Sequence, residues 1–234
     1  MPGFPRAILF DFDGVVVNSE PLHYRALAEV LGREQIELTE DEYYADLIGC
    51  DDRGAIRQVF AARNRKLESK TLLRLLAQKS EQMLEMIYRL KPAALPGVEE
   101  FVRGLWRNYP LAICSGALRE EIEALLEGIA LRDCFQTIIA AEDVTVGKPD
   151  PQGYMLAMRE LARRSRRELR PADCLVIEDA PAVITRVRPE GFKVLGVATT
   201  YFADRLNEAD WVVKSLTPAE VLGVLPQLKF GVRS

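Results

Sequence analysis

The chain has one histidine in 234 residues and only four cysteines. The cysteines stand at 50, 114, 134 and 174, none is paired at CxxC spacing, and Cys114 and Cys174 fall in strand-like apolar runs. That pattern reads as buried free thiols in a reducing compartment, so a cytoplasmic location is expected. Positive charge is not in excess either: the formal net charge is −4, which gives nucleic acid no footing as a partner. The one basic cluster, ARRSRRELR at 162–170, reads as a solvated helix end, with a phosphate-rich partner as the other reading. No apolar stretch reaches membrane-spanning length, which excludes a membrane partner, and no repeat or low-complexity tract stands out. The opening MPGFPRAILF is too short and too quickly structured for a signal peptide.

What is present is the alternation of an α/β protein. Hydrophobic residues make up 48% and charged residues 28%, as in soluble globular chains, and the length suits one ordinary core plus a small insertion. Short apolar runs read as strands: RAILF (6–10), LAICS (111–115), TIIAA (137–141), CLVIE (174–178), KVLGV (193–197) and WVV (211–213). Helical patterns lie near 97–107, 118–128, 151–163, 180–188 and 217–225. Such strands, separated by helices, predict a mostly parallel sheet covered on both faces, with right-handed crossovers. From Pro21 to about Lys91 the rhythm changes to helical periodicity alone. That length exceeds a simple crossover and predicts a helical unit inserted over 21–92, within a discontinuous core of 1–20 and 93–234. Two short connections would join the units, so hinge motion is expected.

The chemistry concentrates at predicted strand ends. In ILFDFDGVVVNSE, residues 8–20, Asp11 and Asp13 stand just past a buried strand, followed at once by a glycine. LAICSGA ends at Ser115-Gly116, TIIAAEDVTVGKP leads to Lys148, and CLVIEDA ends at Glu178-Asp179. Parallel sheets place ligands at the carboxyl ends of their strands, so these groups would converge on one edge. Phosphoryl transfer needs this set. Carboxylate oxygens hold Mg²⁺, Asp11 can attack phosphorus, and Asp13 can protonate the leaving oxygen and then activate water. Ser115 and nearby amides can hold phosphoryl oxygens, and Lys148 can neutralise charge. Asp179 reads as a direct metal ligand; Glu178 binds through water or orients the ligands. The bland readings are an ordinary turn for Ser115-Gly116, a surface lysine for Lys148 and a structural acidic pair.

The pieces DFDGVVVNSE (11–20), CSGA (114–117), GKPDP (147–151) and IEDA (177–180), in this order over nearly the whole chain, resemble the haloacid dehalogenase-like hydrolases. The similarity is to the branch of beta-phosphoglucomutase and small sugar-phosphate phosphatases. The resemblance implies a Rossmann-like core, an inserted helical cap, and Mg²⁺-dependent chemistry through an aspartyl-phosphate. It implies that Asp11 is nucleophile and metal ligand, and that Asp13 is acid/base and gives its backbone carbonyl to the metal. Ser115 and Lys148 take phosphate-binding roles, and Glu178 and Asp179 complete the metal site. Two departures stand out: Asn18-Ser19-Glu20 replaces the common Asp-Ser-Glu, and EDAPAV lacks the serine that usually follows the acidic pair.

Specificity is expected from the inserted unit, closing over the phosphate site and excluding water. Its candidate substrate contacts are Glu20, His23, Arg53 (beside Gly49 and Gly54) and Lys79, added to Ser115, Gly116 and Lys148. Each cap residue also has a structural or solvated reading. The implied activity is a monomeric Mg²⁺-dependent phosphatase of a small phosphorylated metabolite, a sugar phosphate above all. The alternatives are a sugar-phosphate mutase of the beta-phosphoglucomutase kind, which must shield its phosphoaspartate from water, and a non-catalytic interaction protein on a decayed enzyme fold.

Overall fold

Six short runs of Ile, Leu, Val and Ala pair into one parallel sheet. The computed structural model describes residues 3–47 and 50–231, so Gly49 lies outside the described residues. The chain divides into two compact units, one of Ser19–Lys91 and one of the residues before and after it.

The larger unit opens with β1 (Ala7–Phe10), whose four residues are all buried. The chain then passes through the smaller unit: α1 (Glu20–Gly32), a three-residue turn of helix α2 (Glu40–Glu42) running into a wider helical turn at Tyr43–Leu47, α3 (Asp52–Ala62) and α4 (Ser69–Leu90). The larger unit resumes with α5 (Val98–Leu105), β2 (Leu111–Cys114), α6 (Arg119–Gly128), β3 (Thr137–Ile139), α7 (Gln152–Ser165), β4 (Cys174–Glu178), α8 (Pro181–Val187), β5 (Lys193–Val197), β6 (Trp211–Val213) and α9 (Pro218–Val224). The strand order is β3-β2-β1-β4-β5-β6, and every pairing is parallel. The order reverses beside β1, where β2 lies on one side and β4 on the other. This is the expected Rossmann-like sheet, and the crevice outside the carboxyl ends of β1 and β4 is its natural ligand site.

Alternation along each strand serves two cores. Ala7, Leu9, Ala112, Cys114, Cys174 and Val176 pack with Tyr154, Met158 and Leu161 of α7 and Ile184 of α8. The neighbouring residue Phe10 points the other way and meets Phe101 of α5 and Phe135 edge-on. A sheet covered on both faces leaves its strands no polar side, which is why they read as unbroken apolar runs.

Two expectations are corrected. TIIAA stops being a strand at Ile139 because Asp143 turns back and accepts the Ala140 N–H at 2.8 Å, starting a tight helical turn instead. Cys114, Cys134 and Cys174 are buried free thiols as expected, but Cys50, on the polar approach to α3, is exposed. The basic run at 162–170 falls at the end of α7, whose last turn carries Arg163 and Arg164 over Glu160.

The smaller unit is helical and has its own core. Leu27, Val30 and Leu31 of α1, Ile56, Val59 and Phe60 of α3, and Leu72 and Leu75 of α4 form it, with Ile36, Leu38 and Leu47 between. Thr39 caps α2, and Asp51 caps α3 by accepting the Gly54 N–H at 2.6 Å. The polar segment 40–47, which carries no clear periodicity, folds as helical turns because Tyr43 and Leu47 join this core. No helix among the described residues is long and apolar enough to cross a membrane.

Candidate active site

The register of the sheet places the acidic groups. Phe10 pairs with Ile177 of β4, so the next residues, Asp11 just past β1 and Glu178 at the end of β4, stand side by side at the sheet's edge. The Asp11 N–H still donates to the Ile177 carbonyl at 2.9 Å, which fixes the carboxylate at the strand mouth. Beyond it the chain turns sharply: the N–H groups of Val16 and Val17 donate to the Phe12 carbonyl, and the Gly14 N–H to that of Val17. Gly14 sits at φ +78°, and a Cβ there would stand 2.0 Å from Asp179 Oδ2. Only glycine meets both demands, so the glycine after the two aspartates is what lets the β4 carboxylate approach.

Asp11, Glu178 and Asp179 each bring a carboxylate oxygen within 4.8 Å of the others, and all three residues are buried. Lys148 lies among them, its Nζ donating to Asp11 Oδ1 at 2.6 Å and Glu178 Oε1 at 2.7 Å. One ammonium does not balance three carboxylates. Burial, then the Glu178 charge, pushes Asp11 up to about 7 in spite of Lys148. Burial with Glu178 and Asp11 likewise drives Asp179 well above the usual carboxylate range. Burial opposes the Lys148 charge, but Asp11 and Glu178 outweigh it and raise its pKa. A close, oxygen-only, negatively overcharged set of this kind fits a hard divalent cation, which would supply the missing positive charge.

Asp13 is half-buried, and the Ser115 hydroxyl lies 3.4 Å from its Oδ2. Ser115 follows β2; its N–H donates to the Ile139 carbonyl at 2.9 Å and its hydroxyl accepts the Ala117 N–H at 3.0 Å. Gly116 is exposed at this turn and has open space where a Cβ would stand.

The proline after the acidic pair is accommodated. Pro181 opens α8, where its fixed φ suits the first turn, and the Ala180 N–H donates to Glu178 Oε2 at 2.7 Å. A hydroxyl still serves Asp179, from Thr200 beyond β5, and the Thr199 hydroxyl donates to the Gly14 carbonyl.

Sequence reasoning missed Tyr154. It is fully buried on α7, and its hydroxyl accepts from Lys148 Nζ at 3.2 Å and donates to Glu178 Oε1 at 3.1 Å. Burial and the surrounding carboxylates push its phenol well above the ordinary value, so it stays a donor.

Three of the candidate residues, Glu20, His23 and Lys79, lie in a polar cluster within the helical unit. Lys79, fully buried on α4, reaches His23 Nδ1 at 2.7 Å and Asp52 Oδ2 at 2.9 Å. Burial, then the Lys79 charge, holds His23 well below its usual value, so it accepts through a neutral Nδ1. Tyr43 donates to Glu20 Oε2 at 2.6 Å. Arg53 is exposed at the start of α3.

Comparison with known proteins agrees with this geometry. Residues 5–185 match the family model of the haloacid dehalogenase-like hydrolases. Validoxylamine A 7'-phosphate phosphatase of Streptomyces hygroscopicus subsp. limoneus is 28% identical over 91% of this chain and 94% of its own. Beta-phosphoglucomutase of Bacillus subtilis is 26% identical over 82% of this chain and 83% of its own. The crystal structure of CbbY from Rhodobacter sphaeroides in complex with phosphate shares the fold, with a TM-score of 0.82 and 22% identity over 94% of this chain and 97% of that one. The sheet order, the acidic trio with its lysine and the matched span lead to one assignment: the chain belongs to the haloacid dehalogenase-like hydrolases.

Proposed function

We propose that this protein is a Mg²⁺-dependent phosphatase of a small phosphorylated metabolite, a sugar phosphate in the first instance. The observation that carries the reading is the buried Asp11 carboxylate, hydrogen-bonded to Lys148 within an oxygen cluster short of positive charge. Asp11 attacks phosphorus, and the ester bond to the leaving oxygen breaks. Asp13, which accepts from the Ser115 hydroxyl, gives its proton to that oxygen. It then takes a proton from water, whose oxygen attacks the phosphoaspartate; inorganic phosphate leaves and Asp11 is restored. The Ser115 hydroxyl and the Gly116 amide hold phosphoryl oxygens, and Lys148 offsets their charge. Asp11, the Asp13 carbonyl and Asp179 would hold Mg²⁺, with Glu178 bound directly or through water, and the ion would supply the neutralisation that lets a carboxylate approach a phosphate dianion. Glu178, with Oε1 engaged by Lys148 and Tyr154 and Oε2 by Ala180, is suited to orient this set.

Glu20, His23, Arg53 and Lys79 are proposed as the substrate-reading residues of the cap. A screen of phosphorylated sugars and phosphoglycolate with Mg²⁺, following free phosphate and isomerised product together, tests the reading. Phosphate release that stops on chelation is expected. Isomerised sugar phosphate with a bisphosphate requirement would replace the phosphatase with a mutase; neither Mg²⁺ binding nor phosphate release would mark a decayed enzyme.

A further inference from the structure

A lysine ammonium has three protons, and one left without an acceptor in a buried site is costly. Lys148 places all three: on Asp11 Oδ1 at 2.6 Å, on Glu178 Oε1 at 2.7 Å and on Tyr154 Oη at 3.2 Å. The tyrosine hydroxyl in turn donates to Glu178 Oε1 at 3.1 Å, so Lys148, Tyr154 and Glu178 close a ring of hydrogen bonds. The aromatic face supports the same ammonium, with Nζ 5.1 Å from the ring centroid. Tyr154 itself is held from every side. It is fully buried, it packs against Phe192, and Gly153 before it brings α7 so close to β2 that a Cβ there would meet Cys114 Sγ at 2.7 Å.

We infer that Tyr154 is a positioning residue for phosphoryl transfer, whose hydroxyl fixes the Lys148 ammonium against Asp11 and so sets where phosphoryl charge is met. The inference rests on the phosphatase reading, but its core claim concerns phosphate affinity and can be read without turnover. A core aromatic would need only its ring. Here the hydroxyl carries the role, because among the described residues it offers the partly buried ammonium its third hydrogen-bond acceptor and pins Glu178 Oε1 on its other side.

The test is Tyr154→Phe, which keeps the ring and removes one oxygen. Inorganic phosphate binding, measured by calorimetry with saturating Mg²⁺, should weaken about tenfold, the worth of a hydrogen bond to a charged group. Mg²⁺ affinity without phosphate should change less than about twofold, since its carboxylates remain. In a Lys148→Met background the same Tyr154→Phe change should cost nothing more, because the group it positions is gone. Unchanged phosphate affinity in Tyr154→Phe would overturn the inference, as would an equal loss with and without Lys148. A fall in Mg²⁺ affinity matching the fall in phosphate affinity would also overturn it, by assigning the hydroxyl to Glu178 and the metal. A wild-type protein that binds phosphate with Mg²⁺ yet hydrolyses no phosphoester would sink the phosphatase reading and leave the Tyr154 role to be decided by the affinities.

Discussion

Each of the two units sets a lysine among polar groups, fully buried in one and partly buried in the other, and the two are surrounded differently. Lys148 of the sheet unit faces Asp11 and Glu178, with Asp179 close by, so negative charge exceeds positive. Lys79 of the helical unit pairs with Asp52, contacts a neutral imidazole at His23 and lies near enough to Glu20 to lower that carboxyl's pKa, so its charge is compensated. The first arrangement carries negative charge that a divalent cation would offset, as the proposed phosphoryl-transfer chemistry requires. The second is complete, as suits a group that shapes a surface. Burying a lysine therefore says little about its work; the charge left over around it says more.

The sharpest way to break this contrast is at the attacking group. Asp11→Asn keeps the shape of the strand mouth and removes the nucleophile. Turnover should fall about 10⁴-fold or more, and no acid-stable acyl-phosphate adduct should be found on the protein by mass spectrometry. Normal turnover would show that the overcharged cluster is a metal-binding curiosity without a nucleophile.

Exchanging the two lysines comes next. Lys148→Met should lower kcat/KM about 10²- to 10³-fold, as expected when a group meeting developing phosphoryl charge is lost. Lys79→Met should leave kcat within about tenfold and act mainly on KM and on substrate choice. Equal losses in kcat would erase the distinction between the lysines.

How much of this contrast the residues announce depends on range. The strands were readable because a sheet buried on both faces forces continuous Ile, Leu and Val. The strand ends were readable because Asp11, Ser115 and Glu178 interrupt those runs abruptly. Tyr154 was not readable. In PQGYMLAM it has the spacing of a core aromatic, and it is one; only the fold brings its hydroxyl to Glu178, 24 residues away. Asp52 was equally silent. Arg53 beside it looks like the group with chemistry, yet Arg53 is exposed while the Asp52 carboxylate reaches Lys79 on another helix. Pairings between distant elements leave no local pattern, and they are what separate one lysine from the other.

The balance in the helical unit should also appear as stability. Lys79→Met leaves Asp52 without its partner, and because Asp52 is partly exposed the cost should be about 2 kcal/mol, below that of a fully buried broken pair. Lys79→Met combined with Asp52→Asn should recover part of it. Denaturant melts of the four proteins measure the coupling. A double variant no more stable than Lys79→Met would mean that the lysine stem, not its charge, holds α4 in place.

His23 gives the finest test, because its neutrality is part of the same balance. Burial and the Lys79 charge depress its pKa in the folded protein, while the unfolded chain titrates it near the ordinary value of about 6.5. Below that value the unfolded chain binds a proton that the folded chain refuses, so stability falls as pH drops from about 7 and continues to fall until the folded value is reached. The slope from this one group is at most about 1.4 kcal/mol per pH unit. His23→Gln can still accept from Lys79 through its side-chain carbonyl but cannot take up the proton. Its stability should therefore decline less than that of the wild type between pH 7 and pH 5, the carboxylates contributing equally to both. Parallel curves would show that His23 titrates alike in the folded and unfolded protein, so that neither burial nor the Lys79 charge sets its state in the cluster of α1, α3 and α4.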